Sequence, residues 1–204
     1  MPAAVGGEIR GRVRFSPGSS LRAARPDVGD LGMADHPGSV DRQASVVYLD
    51  AVPRRAFDEL PTQRRSMDQR NEQFVPRLLA ITVGTVVSFP NNDSKFHNVF
   101  SLSKTHPFDL GRYPPGKTGS ERFDRPGLVR VFCDIHSHMS GYILVFSHPY
   151  FTVTDADGRY AIRSVPAGAY TLMIWSELGN AEPRRVTVTE GAATEVDFEV
   201  ARSK

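Results

Sequence analysis

Cysteine is almost missing from this chain: Cys133 is the only one in 204 residues. A disulfide needs a pair, and a Cys-rich zinc or iron–sulfur site needs several thiolates, so both classes are excluded. A strong charge of one sign is lacking too. Lys and Arg number 25 against 23 Asp and Glu, a formal net charge of +2. That balance argues against a protein built mainly to neutralise nucleic-acid phosphates. No run of about 18 apolar residues exists, so no transmembrane helix is expected. The opening stretch MPAAVGGEIRGRVRF turns charged almost at once and has no signal-peptide core. The protein is therefore either cytosolic or the mature form of an exported one, and the start of the sequence does not choose between them. Helix-period patterns are scarce, while 17 Gly and 15 Pro interrupt the chain. Alternating runs are common, and the expected class is all-β.

Strands are expected at 8–15, where Ile9, Val13 and Phe15 alternate with Arg, and at 45–52. Between them, 16–44 is rich in Gly, Pro, Ser, Asp and Arg and reads as a long, flexible surface loop. Met33 and His36 lie in it as potential soft-metal donors. Residues 53–65, with Arg54–Arg55 and Arg64–Arg65, read as a polar connector. From Ser66 short strands follow: Ser66–Asn71, Leu78–Thr82, Thr85–Phe89, His97–Ser101, Thr118–Phe123, Leu128–Phe132 and Ser140–Phe146. Turn residues such as Pro90-Asn91-Asn92-Asp93 and Pro114-Pro115-Gly116 separate them, the spacing of a sandwich or barrel. A last group is expected at Tyr150–Thr154, Arg159–Arg163, Tyr170–Trp175, Arg185–Thr189 and Glu195–Val200. Asp155-Ala156-Asp157-Gly158 reads as a hairpin turn within it.

The segment Cys133-Asp134-Ile135-His136-Ser137-His138-Met139 carries the chemistry. A thiolate, an imidazole and a thioether at C-x2-H-x2-M spacing suit a tight loop around one soft or borderline metal ion. Copper takes this mixture, with a thiolate and two imidazoles in a plane and a weak axial Met. The loop holds three of those four donors, Cys133, His136 and Met139, and His97 is the best candidate for the fourth. Val129, Val131 and Cys133 fall on one face of a strand, which puts the thiolate at the inner end of a core strand. Of six histidines, two are thereby assigned, too few remaining for a trinuclear copper cluster. A thiolate-bridged binuclear site needs two cysteines and fails as well. A Cys–His nucleophile pair would need an orienting partner that the sequence does not offer. His138 reads as a residue of the solvent rim, and His106 and His148, each before Pro, as loop histidines. The Asn98 amide is placed to tie the His97 strand to the Cys133 loop.

Three motifs carry a resemblance: N-x-D-x-x-x-H-N-V at Asn91–Val99, F-x-x-P-G at Phe123–Gly127 and C-x2-H-x2-M at Cys133–Met139. Residues 66–147 resemble the cupredoxins, the small blue-copper proteins, with an amicyanin- or plastocyanin-like ligand loop. The chain as a whole resembles bacterial methylamine-utilisation or plastocyanin-like proteins. The loop departs from the usual pattern in having no Pro between Cys133 and Met139. Thr154–Ile162 and Val165–Leu172 resemble the second half of a carboxypeptidase-regulatory-like (transthyretin-like) sandwich, and Gly11-Arg12-Val13 with Val46–Leu49 fits the first half. The resemblance implies a cupredoxin Greek-key sandwich at 66–147, inserted in a discontinuous regulatory-like sandwich of 7–60 plus 148–201. It implies one mononuclear type 1 copper ion held by His97, Cys133, His136 and Met139, with Asn98, Phe132 and His138 around it.

The expected role is one-electron transfer with a redox protein partner, the electron leaving through the His136 edge. The alternatives are copper binding and delivery, with a copper donor or acceptor as partner, and an interaction module with structural copper. No enzyme activity and no nucleic-acid partner are expected. The resemblance also implies export to the periplasm. The oligomeric state is open. Residues 66–147 carry no strong single-sign field, so partner recognition is expected to rest on shape and apolar contact.

Overall fold

A computed structural model of the chain describes residues 6–16, 43–52 and 63–202. The 16–44 loop with Met33 and His36, and the Arg54–Arg55 part of the connector, lie almost wholly outside the described residues. No α-helix occurs among the described residues, so the class is all-β. The chain falls into two compact units, Met1–Ala51 with Tyr150–Lys204, and Val52–Pro149.

In chain order the first unit opens with β1 (Gly7–Phe15) and β2 (Ser45–Leu49). The second unit holds β3 (Arg64–Ser66), β4 (Asp68–Arg70), β5 (Gln73–Val75), β6 (Leu78–Thr82), β7 (Thr85–Pro90) and β8 (His97–Ser101). It continues with β9 (Phe108–Tyr113), β10 (Thr118–Phe123), β11 (Gly127–Phe132) and β12 (Ser140–Phe146). The chain then returns to the first unit with β13 (Phe151–Val153), β14 (Arg159–Val165), β15 (Gly168–Ser176), β16 (Gly179–Asn180), β17 (Arg184–Val188), β18 (Ala193–Glu195) and β19 (Phe198–Arg202).

The first unit is discontinuous because β1 cannot bury its apolar side alone. It pairs antiparallel with β14 and parallel with β18 and then β19. The facing sheet runs β13-β2-β15-β17. Ile9, Val13, Ile162, Phe198 and Val200 from one sheet and Val47, Leu49, Leu172, Val186 and Val188 from the other are all buried.

The second unit packs sheet β10-β7-β3 against sheet β6-β12-β11-β8-β9. Val87, Phe89 and Phe123 from the first meet Ile81, Val99, Val129, Val131, Ile143 and Val145 from the second in one core cluster. Alternation along β7 and β11 places these side chains inward and their neighbours out, as period two requires.

Some departures from the sequence pattern have local causes. The expected strand Ser66–Asn71 is broken: β3 runs beside β7, and β4 folds back on β5. The run Asp68–Glu72 has no apolar alternation to hold a straight strand, and Asn71 and Glu72 turn it with φ of 50° and 56°. Strand β9 is not foreseen, because Gly111 at φ 69° interrupts the Phe108–Leu110 alternation. The expected strand Glu195–Val200 divides into β18 and β19.

A polar tie joins β4, β7 and β9. The Tyr113 hydroxyl donates to Phe89 O at 2.8 Å and accepts from Gln69 Nε2 at 2.6 Å. Burial, reinforced by the negative charge of the nearby Cys133, outweighs the Gln69 hydrogen bond and pushes the Tyr113 phenol up to about 12.

Two predictions follow from this packing. A Cβ on Gly11 would lie 1.8 Å from Val196 O, where β1 closes on the residues after β18. Gly11→Ala should therefore cost about 3 kcal/mol or more, read from urea denaturation of the full chain. A phenol held above its unfolded value of about 10 contributes stability that is complete below that pH and is lost as pH rises towards the folded value. Stability should fall between about pH 10 and 12. Tyr113→Phe should reduce that fall while costing about 1–2 kcal/mol at neutral pH through the lost hydroxyl contacts.

Candidate metal centre

Strands β8 and β11 are antiparallel neighbours with Phe100 opposite Phe132. That register brings the start of β8, His97, to the end of β11, where Cys133 begins the loop to β12. Both are buried, His97 at 0% and Cys133 at 3% exposure. The loop closes on itself: Met139 N–H donates to His136 O at 2.9 Å, and Cys133 N–H donates to Met139 O at 3.4 Å. These bonds turn His136 back towards His97 and keep Met139, itself buried, beside Cys133.

Three donor atoms converge. His97 Nδ1 lies 3.1 Å from His136 Nδ1, and Cys133 Sγ lies 3.8 and 3.9 Å from the two nitrogens. Among the described residues this His97–Cys133–His136 group is the cluster able to hold a metal ion. The donor set fits one: a point about 2.1 Å from all three atoms lies in the plane they define, close to metal–imidazole lengths and slightly short of a metal–thiolate bond.

Two contacts prepare the donors. Asn98 N–H donates to Cys133 Sγ at 3.5 Å, a bond that stabilises a thiolate. His97 Nε2 lies 3.1 Å from Asp93 Oδ2. A carboxylate there demands a proton on Nε2, so we assign that tautomer, which leaves Nδ1 with a bare lone pair in the triangle. Burial works to raise the Asp93 carboxyl, but the N–H groups of Glu72 and Ser94 and the His97 ring outweigh it and hold it down to about 2.

The structure brings together His97, Cys133 and His136, with Met139 at the loop's end. It corrects the role read for the Asn98 side chain: the link to Cys133 is the backbone N–H, while Nδ2 donates to Asp109 Oδ1 at 2.6 Å. A buried amide needs a partner, and β9 supplies the nearest one. Phe132 points away from the thiolate's partners, packing at 5.9 Å from the Phe100 ring and under Arg130 at 5.0 Å. His138 is exposed and its Nε2 lies 3.2 Å from Glu72 Oε2. His106 and His148 are more enclosed than loop histidines. The His106 ring packs 4.7 Å from Phe123, with Nε2 2.9 Å from Glu121, and His148 is buried.

Asp93, Glu72 and Arg112 were not singled out in the sequence. Asp93 stands in the N-x-D-x-x-x-H motif, four residues before His97, and that spacing was the available signal. Arg112 on β9 pairs with Asp134 of the ligand loop at 2.9 Å, a contact of long sequence separation with no local mark.

Asp93→Asn should weaken metal binding by about 10- to 100-fold, the usual cost of losing an outer partner of a ligating His. Competition with a chromophoric chelator measures it.

Comparison with known proteins adds the following. Residues 143–201 match the family model of the carboxypeptidase regulatory-like domain. The match begins within β12, whose pairing lies in the second unit, and runs through β19. No curated protein matches. Among solved structures, a purple cupredoxin from Nitrosopumilus maritimus is 22% identical over 40% of this chain and 98% of its own, with a TM-score of 0.37. A reduced amicyanin variant is 18% identical over 49% of this chain and 98% of its own, with a TM-score of 0.39. A copper-containing nitrite reductase from Thermus scotoductus SA-01 is 28% identical over 48% of this chain, with a TM-score of 0.38, and the match spans only 25% of that enzyme. The described residues are thus all-β, residues 143–201 match the carboxypeptidase regulatory-like domain, and His97, Cys133 and His136 form a cluster able to hold a metal ion.

Proposed function

We propose that the protein is a type 1 copper protein that carries single electrons, with His97, Cys133, His136 and Met139 as ligands. The supporting observation is the triangle of His97 Nδ1, Cys133 Sγ and His136 Nδ1, with sides of 3.1, 3.8 and 3.9 Å. In this reading 66–147 is the cupredoxin domain, and 7–60 plus 148–201 the regulatory-like sandwich.

When bound, copper supplies a one-electron couple. The residues do the rest. His97 and Cys133 project from paired strands of a buried core, so little rearranges when the charge changes. Asn98 N–H withdraws charge from the sulfur and helps set the potential. Met139, buried at the end of the loop, would add a thioether to the donor set. His136 is partly exposed and offers the route out. Phe96 and Ile135 beside the two histidines are 56% and 41% exposed. These apolar neighbours suit a partner recognised by shape, a redox protein outside the cytoplasm.

Titrating the protein with Cu(II) should produce an intense thiolate-to-copper band at one equivalent, absent in Cys133→Ser. A folded, copper-loaded protein without that band would overturn the assignment. Reversible voltammetry without copper loss marks a carrier. Ready transfer of Cu(I) to a chelator would instead mark delivery.

A further inference from the structure

The turn Asn71–Glu72 joins β4 to β5 with Arg70 opposite Gln73. Both turn residues are left-handed, at φ 50° and 56°. Asn tolerates that region, but a residue with a long side chain enters it at a cost and is usually replaced by Gly. Such an outlier asks what the side chain gains.

Glu72 makes three contacts that end at the metal centre. Its N–H donates to Asp93 Oδ2 at 2.7 Å. The same oxygen faces His97 Nε2 at 3.1 Å. Its Oε1 pairs with Lys95 Nζ, in the segment leading to His97. Its Oε2 lies 3.2 Å from His138 Nε2. The His138 ring in turn meets the His136 ring edge-on, with centroids 6.1 Å apart.

We propose that Glu72 is a positioning residue for the metal centre, clasping the ligand loop at His138 to the His97 segment at Asp93 and Lys95. The proposal rests on the copper reading above. It also explains how a ligand loop without Pro keeps its shape. Between Cys133 and Met139 stand Asp134, Ile135, His136, Ser137 and His138, none of which restricts the backbone. Besides the loop's own backbone hydrogen bonds, restraint comes from outside, from Arg112 on Asp134 near one end and Glu72 on His138 near the other. Both pairs are largely solvated, so their contribution to global stability is small. Their contribution is to where the loop rests.

The test uses the full chain with Glu72→Gln and Glu72→Gly. Both keep the backbone N–H to Asp93, and the glycine also relieves the left-handed turn. A purely structural turn residue would leave both variants with an unchanged metal centre, and Glu72→Gly with equal or higher thermal stability. The clasp predicts faster amide hydrogen exchange at 135–139 in the metal-free protein, with β11 and β12 unchanged. In the Cu(II)-loaded protein it predicts a shifted thiolate-to-copper band and a Kd raised by about 10-fold. His138→Ala should reproduce the faster loop exchange, and adding Glu72→Gln to it should bring no further change. Unchanged loop exchange in both Glu72 variants overturns the proposal, as does faster exchange spread through the whole unit. If Glu72→Gly does not fold, Glu72→Gln alone decides. Because the exchange measurement needs no metal, it judges the clasp even if the wild-type protein shows no copper band, an outcome that removes the copper reading instead.

Discussion

A single strand pairing underlies the centre. β8 lies antiparallel to β11 with Phe100 opposite Phe132, and from that register His97 and Cys133 meet although 36 positions separate them. Because β11 is also paired along its length with β12, the thiolate cannot drift without breaking a ladder of backbone hydrogen bonds. The third donor, His136, arrives through the short loop that the same two strands anchor. Cys133 Sγ, His97 Nδ1 and His136 Nδ1 converge in a largely buried place, where polar atoms need a partner. The arrangement makes physical sense around a positive ion.

Around this triangle the polar groups form successive layers. Asn98 N–H faces the sulfur and Asp93 faces the far nitrogen of His97, so two of the three converging side chains have a polar partner outside the triangle. Farther out, Glu72 holds Asp93 from its backbone and His138 from its side chain. Arg112 holds Asp134 from β9. The loop is therefore held by its own hydrogen bonds and is also contacted by two outside segments, the β4–β5 turn and β9.

The legible part of the site was local in sequence. Cys133, His136 and Met139 share one loop, and the period-two pattern of Val129, Val131 and Cys133 shows which way the thiolate points. His97 could be named because a polar turn precedes it and because copper needs a second imidazole. The supporting residues were not legible. Glu72 and Arg112 are charged residues in polar stretches, and nothing distinguishes them from solvated surface until the fold places them. The Asn98 reading failed in detail for the same reason: sequence marks the residue, but the choice between backbone and side chain depends on where Asp109 lies.

The sequence by itself determined the all-β class, through alternating apolar residues and frequent turn chemistry. It also marked Cys133, His136 and Met139 as soft-metal donors in one loop, and the lone cysteine excludes a disulfide and any site needing two thiolates. Tertiary structure decided which groups support that site and how the first unit is assembled. Strand β1 takes its place only by pairing with β14, β18 and β19, more than 140 residues away. The physical reason is common to both. Period and turn propensity act between near neighbours and are written in the local sequence, whereas strand register and ion-pair choice depend on contacts that exist only once the sheets have closed.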